Sequence, residues 1–156
     1  MTNEETREWD AEPDANFLDI HSLYRGVHKD LWRFFAPDVN VIGPNFFITP
    51  KDDVAGLSVD WSKYATPQFT LSRLREPSLS VNGIVLLNLR KLRDCIAERT
   101  LGLTVKHDPV IDPDSPNRAH TLIRGINQRN KTKVKFHLSK IAEWAPGMRP
   151  VVKPPE

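Results

Sequence analysis

The chain has 156 residues, 39% of them apolar and 27% charged, with 13 prolines, one cysteine and a net charge of +2. That length supports one domain with a core of its own, and the lone Cys95 excludes an internal disulfide and an all-cysteine metal site, since each needs at least two thiolates. The longest aliphatic run, residues 84–87, is far shorter than the roughly 18 residues that cross a membrane. We therefore expect a soluble, cytoplasmic protein that does not bind membranes.

Charge is distributed unevenly along the chain. Residues 1–14 contain six acids and one base, whereas residues 124–156 contain eight bases and two acids. The acidic segment has too little apolar surface to offset the entropy lost on ordering, so we predict a disordered acidic tail there. Closely spaced prolines predict an extended Pro-rich tail over residues 146–156. Residues 15–145 between them are predicted to form a single domain.

The first half of this domain alternates between extended and helical patterns. Residues 23–27 and 57–61 place apolar side chains at every second position, which predicts two half-buried strands. Residues 29–35 predict a short helix that ends before a proline. Residues 39–49 are rich in β-forming residues but contain a Gly-Pro pair, which predicts two short extended pieces around a turn.

The middle of the chain contains the clearest helix. A threonine followed by proline opens residues 66–74, and this pair favours the start of a helix. Residues 83–87 are uniformly apolar, as in a strand buried on both faces. Residues 89–100 place their apolar side chains on one helical stripe, and Gly102 is the expected carboxyl-terminal cap.

The last third completes the predicted fold. Residues 103–106 and 119–125 predict two strands around a proline-rich loop, residues 108–118. Residues 131–137 alternate strictly and predict another strand, and residues 138–144 predict a short closing helix. These elements predict an α+β fold: a single compact domain with a mixed or antiparallel sheet of about six strands and three to four short helices.

Several well-known functional motifs are absent from the sequence. Neither of the glycine-rich phosphate motifs, GxGxxG and GxxxxGK[ST], occurs, and neither does GxSxG or HExxH. Classical dinucleotide and P-loop functions therefore lose most of their support, and we predict no bound cofactor and no metal. Cys95 lies near the buried stripe of its helix, where we expect it to pack like a small hydrophobic residue.

Two histidines lie at the predicted ends of neighbouring strands. His107 ends one strand and His120 begins the next, with Asp108 beside the first. If these strands pair around the proline-rich loop, the three side chains converge and form a candidate general base. The alternative is structural, because an Asp-Pro pair initiates turns and a histidine at a strand end is commonly a surface residue.

Arg25 lies within an apolar predicted strand, between Tyr24 and Gly26. Its guanidinium suits bidentate capture of a carboxylate or phosphate, with glycine allowing a close approach to the backbone and His28 as a nearby candidate base. The Tyr-Arg-Gly strand resembles the first strand of some NAD-consuming transferases, although the Glu-x-Glu pair and the Ser-Thr-Ser strand of those enzymes are absent here. The alternative is a cross-strand salt bridge from Arg25 to an acid.

Basic residues cluster near the carboxyl-terminal end of the domain. With a period of two, Lys131, Lys133 and Lys135 lie on one face of the predicted strand, flanked by Arg129 and Lys140. Such a row either contacts the phosphates of a nucleic acid or discourages an exposed edge strand from pairing with another chain.

Three functional hypotheses follow. The first is a small soluble interaction or accessory protein that engages a protein or nucleic-acid partner through its tails and basic edge. The second is a small enzyme that binds a phosphorylated or nucleotide-like substrate in a pocket using Arg25 and histidines. The third is a toxin or regulatory component of a multi-protein system. Convergence of Arg25, His28, His107 and His120 on one pocket would favour the enzyme.

Overall fold

The computed structural model describes residues 9–35, 38, 40–47 and 56–152. Over these residues the chain forms one antiparallel sheet of six strands and four α-helices, which confirms the α+β class. The strands are β1 (Ser22–His28), β2 (Leu57–Trp61), β3 (Asn82–Asn88), β4 (Thr104–His107), β5 (His120–Arg124) and β6 (Glu143–Trp144). The helices are α1 (Lys29–Trp32), α2 (Pro67–Ser72), α3 (Leu89–Arg99) and α4 (Lys131–Ile141), with short 3₁₀ turns at Asp14–Asn16, Arg33–Phe35 and Pro44–Phe46. None of the helices in this part of the chain is long and apolar enough to cross a membrane.

The strands lie in the order β4-β5-β2-β1-β3-β6, and every neighbouring pair is antiparallel. β1 pairs with β3 along its whole length, from Ser22 to His28. Its register with β2 contains two residue pairs, the second of which joins Tyr24 to Asp60. Beyond that pair β1 and β2 diverge, and a cleft opens between them.

The two faces of the sheet are covered by different elements. Successive side chains of a strand point to opposite faces, so Leu57, Val59 and Trp61 lie on one face of β2. That face, here called the core face, packs against α3 and α4. The buried side chains between this face and the two helices include Leu23, Val27, Leu57, Val59, Trp61, Val85, Leu87, Leu89, Leu92, Val134 and Leu138. The opposite face, here called the cleft face, carries a smaller cluster that α2 and the carboxyl-terminal segment cover, with Ile84, Leu86, Ala145 and Met148 buried.

The ends of the helices follow local signals in part. Helix α2 begins as predicted, because the Thr66 hydroxyl accepts a hydrogen bond from the Phe69 N–H at 3.1 Å. The cap expected at Gly102 is wrong by two residues: Thr100 takes the left-handed conformation, with φ 53°, and ends α3. The early end turns Leu101, which is 3% exposed, into the core.

The prediction of a strand over residues 131–137 is wrong, because these residues form the first two turns of α4. Val134 and Leu138, spaced by one helical turn, are fully buried, whereas Phe136 is 48% exposed. The strand would have buried Phe136 together with Val134, so packing on the core face decides for the helix. The helix predicted over residues 138–144 therefore begins earlier, and β6 occupies its end.

The described parts of both predicted tails contact the domain. At the amino-terminal end, the Glu12 N–H donates a hydrogen bond to His107 Nδ1 at 3.0 Å. At the other end, the Ile84 N–H donates to the Met148 carbonyl at 3.0 Å. Residues 1–8 and 153–156 lie outside the described residues, as do residues 39, 48 and 49 of the predicted extended pieces around the turn at Pro44–Phe46.

Glu12 ties the amino-terminal segment to the turn after β2. Its carboxylate accepts hydrogen bonds from Lys63, Tyr64 and Asn16. Burial alone would raise the pKa of Glu12, but the hydrogen bonds from Lys63, Tyr64 and Asn16 outweigh it and lower the pKa to about 2. The carboxylate is therefore charged at neutral pH and holds this segment beside β2.

Candidate functional site

The cleft between β1 and β2 has a volume of about 270 Å³. Helix α2 and the loop over residues 108–118 form its outer walls. Polar and charged side chains from all of these elements line it, among them Arg25, Ser58, Asp60, Thr70, Arg73 and Asn117. The divergence of two strands at the centre of the sheet therefore creates a polar cleft on an otherwise covered surface.

Ser58, His120 and Asp108 form a hydrogen-bonded line beside this cleft. Ser58 lies on the cleft face of β2, diagonally across from His120 on β5. The Ser58 Oγ is 2.8 Å from His120 Nε2. His120 Nδ1 is 2.8 Å from the Asp108 carbonyl oxygen and 3.3 Å from its carboxylate oxygen Oδ2.

The partners of the imidazole determine where its hydrogen lies. A backbone carbonyl can only accept a hydrogen bond, so His120 Nδ1 carries the hydrogen and donates it to Asp108. Nε2 of the neutral ring is then an acceptor, and the Ser58 hydroxyl donates to it. A base that accepts a hydrogen bond from a serine hydroxyl activates that oxygen as a nucleophile, and a carboxylate near Nδ1 stabilises the imidazolium that forms.

Arg25 lies where β1 and β2 diverge. Its Nε donates to the Phe46 carbonyl at 2.9 Å, and its Nη1 donates to the Ser58 carbonyl at 3.0 Å. Across the cleft, the Arg73 guanidinium donates to carbonyls of the 108–118 loop, with Nη1 2.9 Å from the Pro116 oxygen. Arg25 and Arg73 thus place two positive charges at the cleft, whose lining also includes the Asp60 carboxylate.

His28 and His107 lie away from the cleft. His28 ends β1 and caps the amino-terminal end of α1, where its Nδ1 accepts a hydrogen bond from the Asp30 N–H at 3.1 Å. His107 points to the core face and is 5% exposed, with its ring edge against Trp61. The structure therefore brings Asp108 and His120 together and separates His107 from them, because neighbouring residues of a strand point to opposite faces.

Ser58 was not among the site residues predicted from the sequence. Its outward position followed from the alternation of residues 57–61, but no local pattern distinguished it from an ordinary surface serine. The signal that identifies it is the pairing of β2 with β5, which lies about 60 residues further along the chain.

The cationic row predicted near the carboxyl-terminal end does not form. The residues concerned are Arg129, Lys131, Lys133, Lys135 and Lys140. Because a helix repeats every 3.6 residues, Lys131 and Lys135 lie on one side of the buried stripe of α4, and Lys133 and Lys140 lie on the other. Lys133 Nζ also donates to the Arg99 carbonyl at 2.7 Å, at the end of α3. The strand-based geometry for phosphate contact is therefore wrong, while binding of a nucleic acid stays a prediction.

A separate groove of about 500 Å³ lies between α3 and α4. Cys95 lines it and packs with the core, as predicted. Burial raises the pKa of the Cys95 thiol, which keeps it in the less nucleophilic protonated form. Burial, with the charges of Arg99 and Lys133, lowers the pKa of His137 in the same groove. Among the described residues, no group of three or more His, Cys, Asp or Glu side chains could hold a metal ion.

Comparison with known proteins identifies no relative of this chain. No protein-family model matches the chain, and no curated protein or solved structure is significantly similar to it. The cleft and its side chains are therefore the guide to function.

Proposed function

We propose that this chain is a small enzyme that binds an anionic, nucleotide-like substrate in the cleft between β1 and β2 and cleaves an ester bond in it. The observation that carries the proposal is the line from the Ser58 Oγ to His120 Nε2, at 2.8 Å, and from Nδ1 to Asp108. Arg25, on β1, also supports the proposal, since its guanidinium contacts the Ser58 carbonyl and so lies beside the nucleophile.

Ser58 is the nucleophile and His120 the general base. As the Ser58 oxygen forms a bond to the electrophilic carbon or phosphorus of the ester, its proton passes to Nε2, and the departing oxygen takes that proton as its bond breaks. Water then attacks the Ser58 ester, and Nε2 accepts a proton from the water and returns it to the Ser58 oxygen. Another hydroxyl compound in place of water makes the reaction a group transfer. General base catalysis of this kind contributes about 10²–10⁴-fold in rate.

The cleft favours a small anionic ligand. Its volume of about 270 Å³ is just below the range of ligand pockets, which span roughly 300–1,000 Å³. The charges of Arg25 and Arg73 favour a phosphate or carboxylate. Tyr24 adds an aromatic wall, and burial raises its pKa, so the phenol is a hydrogen-bond donor at neutral pH. An aromatic wall beside two cations supports a ligand with a flat ring and a phosphate.

Labelling with a fluorophosphonate tests the nucleophile without knowledge of the substrate, because an activated serine oxygen displaces fluoride from the probe and retains the phosphonyl group. Wild type should gain one phosphonyl group, located at Ser58 by peptide mass, and Ser58→Ala should gain none. Ser139→Ala is the matched control, because the Ser139 hydroxyl donates to a carbonyl on α4, away from the cleft. Absence of labelling at Ser58 in wild type would contradict the proposal.

A thermal-shift screen of mono- and dinucleotides, NAD included, tests the substrate class. At least one of them should raise the melting temperature of wild type. Arg25→Lys should reduce that rise, because lysine keeps the charge but cannot reproduce the planar donor fork that contacts the Phe46 and Ser58 carbonyls at the cleft. If every nucleotide leaves wild type unshifted, the nucleotide-like substrate is wrong even where Ser58 is labelled.

The other expectations from the sequence stay proposals of lower rank. An interaction protein with a protein or nucleic-acid partner is favoured by one observation, the separation of His28 and His107 from the cleft. A component of a toxin or regulatory system has no observation among the described residues in its favour. A cytoplasmic location is supported by composition, since a single cysteine fits a compartment in which disulfides are rare.

A further inference from the structure

Asp60 is a buried acid next to the Ser58–His120 pair. It is 7% exposed. It follows Ser58 by two residues, so both point to the cleft face, and it lies directly opposite His120 in the register of β2 and β5. Burial of a carboxylate is unfavourable unless hydrogen bonds replace the lost water, so its position calls for a physical explanation.

Both carboxylate oxygens of Asp60 hold a wall of the cleft. The Thr70 hydroxyl, on α2, donates to Oδ2 at 2.7 Å, and the Asn117 amide, on the 108–118 loop, donates to Oδ1 at 2.8 Å. Thr70 and Asn117 are themselves buried, at 5% and 4% exposure. Asp60 therefore joins β2 to a helix and to a loop that are far from it in sequence.

Asn117 closes the loop that carries Asp108. Its backbone exchanges two hydrogen bonds with Val110, each of 2.8 Å, and its side-chain oxygen accepts from the Ala119 N–H at 3.0 Å. Asp108 lies two residues before Val110 and holds His120 Nδ1. The partner of the imidazole is thus placed by a loop whose closing residue is anchored on Asp60.

These two hydrogen bonds alone do not require a charge at position 60. An asparagine there would accept from Asn117 with its oxygen and donate its amide hydrogen to the Thr70 hydroxyl, which can also act as an acceptor. Among the described residues, no lysine or arginine forms an ion pair with Asp60. Residues directly opposite each other in antiparallel strands have Cβ atoms about 4.5–5.5 Å apart, which brings this negative charge close to the imidazole of His120.

We propose that Asp60 is the positioning residue of this site. It fixes α2 and the 108–118 loop against β2, and it keeps a buried negative charge beside the imidazole that becomes positive when His120 accepts the Ser58 proton. The inference rests on the proposed function in taking His120 as the base for Ser58. The other charged side chains on the neighbouring strands, at the end of α2 and on the 108–118 loop are those of Lys106, Arg124, Arg25, Arg73, Asp108, Asp112, Asp114 and Arg118.

Asp60→Asn tests the charge, because it keeps both hydrogen bonds. The two readouts are the rate of fluorophosphonate labelling as a function of pH and the NMR titration of the His120 imidazole, whose signals are identified by their loss in His120→Gln. Labelling should slow by roughly tenfold or more, and the His120 titration should move to lower pH, since a nearby negative charge no longer favours the imidazolium. Asp114 is an exposed acid of the 108–118 loop, and Asp114→Asn should change neither readout. Wild-type labelling with an unchanged titration would overturn the role of the charge.

Thr70 tests the anchoring role separately. Thr70→Val removes one hydrogen bond to Asp60 and leaves the charge in place, whereas Thr70→Ser keeps the hydroxyl. Labelling should slow in Thr70→Val with little change in the His120 titration, and Thr70→Ser should restore the wild-type rate. Equal rates in these two variants would contradict the anchoring role. If Ser58 is not labelled in wild type, the proposed function fails, and the His120 titration in Asp60→Asn still decides whether Asp60 acts on that imidazole.

Discussion

His107 and His120 belong to neighbouring strands, yet the sheet places them in opposite chemical environments. On the core face, His107 Nδ1 accepts from the Glu12 N–H at 3.0 Å, and Nε2 donates to the Arg118 carbonyl at 2.6 Å. Both ring nitrogens therefore have main-chain partners. On the cleft face, His120 has one main-chain partner and one hydroxyl partner, Ser58. The partner of the second nitrogen, rather than proximity to an acid, separates a structural histidine from a candidate base.

Replacing each histidine by glutamine should separate their roles most clearly. His120→Gln removes the base, so fluorophosphonate labelling of Ser58 should slow by about 10²–10⁴-fold. His107→Gln keeps an acceptor for Glu12 and a donor for Arg118, so the folded variant should label at nearly the wild-type rate. Intact-mass kinetics on variants checked by circular dichroism give both rates. Equal slowing in the two variants would show that the histidines act alike and that the cleft face has no special role.

The core face should dominate stability as the cleft face dominates chemistry. Leu92→Ala removes a fully buried side chain of α3 and should cost about 2–5 kcal/mol in the free energy of unfolding, measured by urea denaturation. Arg90→Ala, on the exposed side of the same helix, is the control and should cost far less. Labelling of Ser58 per folded molecule should be unchanged in both. Similar costs for the two substitutions would mean that α3 buries a different face.

The elements with one dominant period were predictable from the sequence, and α4 was not. Helix α3 has a single apolar stripe, whereas residues 131–137 satisfy two periods at once, because Val134 belongs both to an alternating pattern and to a helical one with Leu138. A local signal existed in Asn127, whose side-chain oxygen accepts from the Arg129 and Asn130 N–H groups and begins the turn that leads into the helix. Packing against the core face decides between helix and strand, and that packing depends on residues distant in sequence.

The candidate site was predictable only where its residues are close in sequence. Asp108 begins one loop and His120 follows its end, so the pairing of β4 with β5 brings them together as expected. Ser58 and Asp60 join them through the register of β2 with β5, and a shift of one residue in that register would place both side chains differently relative to His120. The alternating pattern of a strand defines its faces but does not define its partner.

The Glu12 carboxylate makes the contact between the amino-terminal segment and His107 dependent on pH. Its pKa is about 2 in the folded protein against an ordinary value of 4.5, so the charged carboxylate stabilises the fold above the ordinary value, and this contribution is lost as the pH falls toward 2. Glu12→Gln should lower stability by about 1 kcal/mol at neutral pH, since solvent screens much of the interaction. Wild type and variant should converge in acid, as measured by urea denaturation across the acidic range. A difference that stays constant with pH would contradict the role of the charge.

Thr100 gives the smallest expected effect, at the carboxyl-terminal end of α3. A β-branched residue in the left-handed region, here with φ 53° and ψ 49°, costs about 1–2 kcal/mol. Glycine removes that strain but increases the entropy of the unfolded chain by about 0.5–1 kcal/mol. Because the Thr100 side chain is exposed and its loss removes little packing, Thr100→Gly should stabilise the protein by about 0.5 kcal/mol. Thr100→Ala, which stays left-handed without the β-branch, should fall between the two in urea denaturation. Since α3 covers the core face, neither substitution should alter labelling of Ser58. A loss of stability in Thr100→Gly would show that the threonine side chain stabilises this end of the helix by more than its strain costs.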